Sequence, residues 1–354
     1  MDNIGSELKK LGLLSAYNFL EKNPEENLPK LIDWLDTYMD ENILKKQREV
    51  FREIVNEKND SNWYQLIISV WKDYNSDVRK TMFENIIINA AAMAAPIAEE
   101  NRKRYNCNIP WILSIELGDS EKDGSLDFDE WDSVITQAKR RGTFMFIIMG
   151  EDPLHTKEEI IALCNKHADC EFLLVTDGQR FDEDFAMEML RVRNIIVAFK
   201  VNSLEQEKMI DEPAAILRAC GLPYVISCLY DKTNQEELDT EEFFDSLIDK
   251  GVKLGFFLSR LSDEDDEIYK KILKYRNRKK FMAIHFCKDK VLIGGCVAGG
   301  RYYASINSQG DVEPCFFVNR SDANLRNLSL IDAYRRPLFQ SYRVPEIECD
   351  ALER

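Results

Sequence analysis

The stretch Pro110–Met149, PWILSIELGDSEKDGSLDFDEWDSVITQAKRRGTFMFIIM, reads as strand, helix, strand. Trp111–Leu117 and Phe144–Met149 are apolar runs of strand length, and Phe128–Arg141 between them carries a helical pattern. Strands that alternate with amphipathic helices form βαβ units, and such units build a parallel sheet. The alternation continues downstream. Strand-length runs recur at Phe172–Val175, Ile195–Phe199, Tyr224–Leu229 and Leu254–Leu258. Helical patterns at Lys157–His167, Asp182–Leu190, Glu212–Cys220 and Glu241–Lys250 lie between them. Six units predict an α/β fold, a partial parallel (βα)6 barrel rather than a closed eightfold one. Any chemistry is expected at the C-terminal ends of its strands.

Upstream the periodicity changes. Leu28, Leu31, Ile32 and Leu35 follow helical spacing, as do Ile43, Val50, Phe51 and Ile54. Asn59-Asp60-Ser61 and Asn75-Ser76-Asp77 read as turns that cap the helices after them. Phe83–Ala98 is almost continuously apolar and is expected to be a helix buried on most sides. No Cys or His precedes Cys107, so residues 1–105 read as a helical N-terminal domain without catalytic residue types. The join at Tyr105–Trp111 has no Gly/Ser-rich linker, so this domain is expected to cover part of the barrel.

Composition narrows the function classes. The 354 residues are 45% apolar and carry a formal net charge of −16. No basic run exceeds Asn101–Arg104, which argues against a nucleic-acid groove and a polybasic membrane patch. The N-terminus lacks the apolar core of a secretory signal, and the best apolar window, Ile86–Ala98, is short and contains Pro96. Nine scattered cysteines suit a reducing compartment, so a cytoplasmic location without membrane attachment is expected.

The stretch GGCVAGGRYYASINSQGDVEPC at 294–315, followed by LSLIDAYRRPLFQSYR at 328–343, resembles the C-terminal signature of radical S-adenosylmethionine (SAM) proteins. NWYQLI at 62–67, VRKTMFENIIINA at 78–90 and CNIPW at 107–111 are similar to the lead-in of a prokaryotic group of that family. The resemblance implies a helical domain over 1–105, a radical-SAM-like barrel over 106–286 and a SPASM- or twitch-like hairpin extension over 287–354. It also implies an auxiliary iron–sulfur cluster on Cys296, Cys315 and Cys349; buried structural cysteines are the alternative. Cys287 stands where the family usually has an aromatic residue. Cys164, Cys170, Cys220 and Cys228 read as core residues.

The family's catalytic centre does not follow from the same comparison. Its CxxxCxxC loop comes directly after the first strand, and here that place holds the acidic, cysteine-free Gly118–Gly124. The family's Gly-Gly-Glu-Pro run, which holds the methionine end of SAM, corresponds to Met149-Gly150-Glu151-Asp152-Pro153. Gly150 and Glu151 are the vestige of that motif, and Met149 would crowd a ligand that needs close backbone approach. Thr176-Asp177-Gly178 resembles a Thr-Asn-Gly turn. The loops after the fourth and sixth strands, at Asn202–Lys208 and Arg260–Asp266, run directly into helices. SAM is therefore not expected as a cofactor.

Other chemistry is weakly represented. Asp119, Glu121 and Asp123 could hold a hard cation, although a solvated acidic turn is the plainer reading. His155 is expected at the barrel mouth and His285 as a satisfied core histidine. The chain lacks GxSxG, P-loop and GxGxxG motifs. The sequence thus predicts a degenerate radical SAM-like protein that binds a small molecule in the barrel mouth or an active paralogue. The alternative is an iron–sulfur redox enzyme that uses the auxiliary cluster.

Overall fold

The computed structural model describes residues 3–38, 52–57, 61–118, 124–259, 261, 266–275, 278–286, 288–289, 295–315, 317–318 and 320–343. The strands are β1 Ile112–Glu116, β2 Met145–Met149, β3 Glu171–Thr176, β4 Ile195–Lys200, β5 Tyr224–Tyr230, β6 Leu254–Ser259, β7 Met282–His285, β8 Tyr303–Ile306 and β9 Val312–Glu313. They form one sheet in the order β7-β6-β5-β4-β3-β2-β1-β8-β9. All neighbouring pairs are parallel except β8 with β9.

The six expected βα units are present, with two additions. β7 extends the parallel series by one strand. The C-terminal hairpin joins the same sheet, because β8 pairs with β1 from Ile112↔Tyr303 to Ile115↔Ile306. The partial parallel barrel and its hairpin extension therefore share one hydrogen-bonded sheet.

Alternation along the strands separates two faces. Leu113, Ile115, Phe146, Ile148, Phe172, Leu174, Val197, Phe199, Ile226 and Phe257 are fully buried beneath the outer helices. The opposite, concave face carries Ile147, Met149, Leu173, Ile196, Leu254 and Phe256, which are only partly buried. A sheet that does not close leaves its lumen open to solvent.

Capping fixes where the outer helices begin. Asp127 and Glu130 form a reciprocal capping box at the start of Phe128–Arg141. Asp182, Ser203 and Thr240 each accept a backbone N–H at the start of their helices. Ser61 and Asn75 cap Asn62–Asp73 and Ser76–Met82 as the turn residues predict.

The helical N-terminal region lies against the barrel. Ser76–Tyr105 is one continuous helical run, with π geometry over Phe83–Met93. By length and composition it could cross a membrane, which window-by-window reading of the sequence misses. It is not buried on most sides as expected: Asn85, Ile88, Ala90, Ala94 and Ala98 are buried, whereas Ile87 and Ile97 are 42% and 40% exposed. Its inner face meets the barrel helices and β3. The Asn85 amide donates to the Cys170 carbonyl at 2.8 Å, and Asn89 donates to the Asp169 carbonyl at 2.9 Å.

Gly142 marks the tightest approach of these two layers. It ends helix Phe128–Arg141 at φ +99°, and a Cβ there would stand 2.7 Å from the Ala98 nitrogen and 2.8 Å from the Ala94 carbonyl oxygen. Both the left-handed backbone and the clash penalise any side chain. Gly142→Ala is expected to cost about 2–4 kcal/mol in urea unfolding. A wild-type midpoint would mean that the helical layer does not dock at this point.

Candidate functional site

The strand ends at β1, β2 and β8 converge on a cleft of about 320 Å³. Its polar wall is made by Glu116, Glu151, Asp152, His155, Arg180 and Ser308. Glu116 closes β1. In the alternation of that strand, Ile112, Ser114 and Glu116 share the concave face, opposite to the buried Leu113 and Ile115.

Gly150 sits between the two strand ends. Its carbonyl accepts from Lys200 Nζ at 2.9 Å, and a Cβ on it would lie 2.6 Å from the Leu117 carbonyl oxygen. The Leu117 N–H in turn donates to the Met149 carbonyl at 2.9 Å. Glycine at 150 is thus required by the close passage of β1 and β2. Met149 is partly buried and packs with the concave-face cluster around Val175, Ala198 and Val225.

Beyond Gly150 the chain turns into the one-turn helix Pro153–Thr156, which brings His155 to the cleft as expected. Asp152 pairs with Arg180 across it. Thr176-Asp177-Gly178 forms a self-contained turn, with Thr176 Oγ1 accepting from the Gly178 N–H and Asp177 Oδ1 from the Gln179 N–H.

A polar row lines the neighbouring concave face. The Ser114 hydroxyl donates to Ser305 Oγ at 2.8 Å and lies 2.5 Å from the Tyr303 hydroxyl. Glu313 stands opposite Ser305 in the β8–β9 register. Burial, then the nearby carboxylates Glu116 and Asp311, raise the Glu313 carboxyl to about 7, against a smaller lowering by Asn307. Near neutral pH this group can hold or release a proton, as an acid–base residue must.

The donors at this mouth are carboxylates, an imidazole and a guanidinium. No described cysteine lines the cleft. Cys107 is buried, and burial raises its thiol to about 11. Burial likewise raises the thiols of Cys164, Cys170 and Cys228, which lie in the outer core. Such thiols stay protonated and do not act as ligands or nucleophiles. The three thiolates that a SAM-cleaving [4Fe–4S] centre takes from the β1 loop are missing, so the residues present do not fit that group. Among the described residues no group of three or more His, Cys, Asp and Glu is placed to hold a metal ion.

Cys296 and Cys315 pack into one cluster with Val297, Tyr303, Val318 and Tyr342. The Gly299 N–H donates to the Pro314 carbonyl at 2.9 Å, which folds the Cys296 segment back beside Cys315. Cys349 and Cys287 lie outside the described residues, as does the Asp119–Asp123 loop. His285 is fully buried and hydrogen-bonded to Tyr230, in keeping with a core histidine.

Sequence reading singled out Gly150, Glu151 and His155 here but not Glu116, Arg180, Lys200 or Glu313. The alternation of β1 carried a signal for Glu116, since a charged residue follows Ser114 on one face. Arg180 reaches the cleft, and Glu313 the concave face beside it, through tertiary pairing that no local pattern announces.

No protein-family profile matches the chain, and no curated protein matches it. Solved structures do. SuiB of Streptococcus suis bound to the precursor peptide SuiA superposes with a TM-score of 0.53 and 16% identity, over 70% of this chain and 70% of that one. SuiB bound to S-adenosylmethionine gives a TM-score of 0.51 and 16% identity, over 69% and 68%. Histidine-tagged anSMEcpe with bound AdoMet gives 0.50 and 14%, over 66% and 79%. Seven parallel strands in sequence order, with helices outside and a C-terminal hairpin on the β1 edge, make this the radical-SAM-like fold.

Proposed function

We propose that this chain is a radical-SAM-like protein that has lost the SAM-cleaving [4Fe–4S] site and works by binding rather than by radical chemistry. One observation carries the reading: the β1 strand-end cleft is walled by Glu116, Glu151, Asp152, His155 and Arg180, with no thiol among the described residues of its wall and no cysteine in the sequence of the β1 loop. Soft thiolates hold iron–sulfur clusters, whereas this set of hard oxygen and nitrogen donors does not. The cleft suits a small polar ligand, and its carboxylates favour one with a positive group. An active paralogue that docks over the open barrel mouth is the other binding role the reading allows.

Loss of the cluster is accompanied by changes around Gly150. Met149 occupies the concave face where the family has glycine, and Lys200 already takes the Gly150 carbonyl. SAM is therefore expected to bind weakly or not at all. Titration calorimetry on the full chain tests this: no saturable heat should appear at micromolar SAM. A micromolar dissociation constant would show that the pocket persists and would overturn this part of the proposal.

A second reading is favoured by the fold of the Cys296 segment onto Cys315. In it, Cys296, Cys315 and Cys349 hold an auxiliary iron–sulfur cluster, and the protein is a redox enzyme through that centre. It requires iron and sulfide to purify with the chain and to be lost when these three cysteines are replaced.

A further inference from the structure

We propose that the open side of the barrel, between β7 and β8, holds a second binding site, for an anionic amphiphile with an aliphatic body, a long-chain carboxylate. A cavity of about 680 Å³ is lined by the first residues of β1 and β8 and by β7 along its length, and it shares no lining residue with the strand-end cleft. Trp63 of the helical region, Trp111 before β1, Phe256 of β6, Phe286 after β7, and Tyr302 and Tyr303 at β8 all line it. These aromatic side chains come from separate segments and converge across the open side of the sheet, between edge strand β7 and the start of β8, where β9, paired only with Ser305 and Ile306, does not reach.

A space of this size lined chiefly by aromatic and aliphatic side chains is poorly filled by water, which needs two to four polar partners per molecule. Its volume matches small-molecule sites and accepts a body of roughly 12–18 carbons. The charges at its wall select the head group. Asp289 is tied inward, with Oδ2 accepting from the His285 N–H at 2.8 Å and Oδ1 from the Tyr269 hydroxyl at 3.3 Å. Among the described residues, Arg102 is the one Lys or Arg of the lining. Its Nη2 donates to the Ile109 carbonyl at 2.8 Å, and Nη1 meets the Glu99 carboxylate only at 3.8 Å. That anchoring orients the guanidinium, whose planar fork suits a carboxylate better than an alcohol or an amine.

The test uses the full chain and the fluorescence of its tryptophans, titrated with dodecanoate and with dodecanol. One saturable site is expected, with the carboxylate bound about tenfold more tightly than the alcohol. Arg102→Gln should abolish that preference while leaving alcohol binding unchanged. Ala95 lies exposed at the rim, so Ala95→Phe adds bulk without touching the core and should weaken both ligands by about tenfold or more. If a thermal melt shows that Ala95→Phe is unfolded, Ile284→Phe on β7 provides the same block. No saturable change, equal affinity for the two head groups, or binding indifferent to the folded blocking variant would each overturn the proposal.

Discussion

Replacing Glu171 with glutamine is expected to stabilise the protein by about 4 kcal/mol near pH 7.5, an unusual direction for a change in a fully buried residue. Glu171 opens β3 and is 1% exposed. Burial raises its carboxyl to about 8, against a smaller lowering by the Asn85 amide. That amide donates to Oε2 at 3.2 Å, and Oε1 has no hydrogen-bond partner among the described residues. In the unfolded chain the group ionises near 4.5; in the folded chain it holds its proton up to about 8. Its contribution to stability is therefore intact below about pH 4.5 and is lost as pH rises from there to about 8. Glutamine keeps an acceptor for Asn85 and removes the titration. Urea unfolding of both proteins at several pH values would show the gap opening with pH. A gap that is constant across that window would mean that Glu171 ionises normally in the folded state.

His285 is expected to act in the opposite direction, by about 3 kcal/mol between pH 6.5 and 4. It is fully buried at the end of β7, and burial lowers its imidazole to about 4; Lys288 lowers it further, while Asp266 and Asp289 oppose the shift. The hydrogen bonds define the neutral tautomer. The Tyr230 hydroxyl donates to Asp266 Oδ1 at 2.7 Å, so Nε2 carries the proton towards the Tyr230 oxygen at 2.9 Å. Nδ1 accepts from the Lys288 N–H at 3.2 Å. Tyr269 packs edge-on against the ring from the helix Glu267–Tyr275. A base whose folded pKa is lowered stabilises fully above its unfolded value near 6.5, and that stability drains away as pH falls to about 4. The wild type should lose about 3 kcal/mol more than His285→Gln between pH 7 and 4. Parallel losses in the two proteins would assign the acid sensitivity to other groups. With Glu171 penalising high pH and His285 penalising low pH, maximum stability should fall between about pH 5 and 7.

Much of the fold was legible because parallel strands bury one whole face against helices and leave strong local patterns. Leu113, Ile115, Phe146 and Ile148 are fully buried where the apolar runs placed them, and Ser61, Asn75 and Asp127 cap helices through local hydrogen bonds. The pairing of β8 with β1 was not legible. It joins segments about 190 residues apart, as the Ser114–Ser305 hydrogen bond shows, and neither segment encodes the other. Partial exposure of the concave face was also hidden, since Ile147 and Leu173 look the same in sequence whether the barrel closes or not. The helix Ser76–Tyr105 misled for a related reason: apolar residues such as Ile87 and Ile97 face outward. At the candidate site, Gly150 and Glu151 were found through a motif, and His155 through its place after it. Arg180 and Glu313 needed the assembled sheet.

Anaerobic reconstitution with iron and sulfide of the Cys296→Ala, Cys315→Ala, Cys349→Ala triple variant bears most directly on loss of the barrel centre. The cysteine-free β1 loop and a cleft without a thiol among its described lining residues predict no [4Fe–4S] signal by electron paramagnetic resonance after reduction, and no bound iron above background. A reducible [4Fe–4S] signal that survives in this variant would place a cluster outside the C-terminal cysteines and contradict the proposed loss.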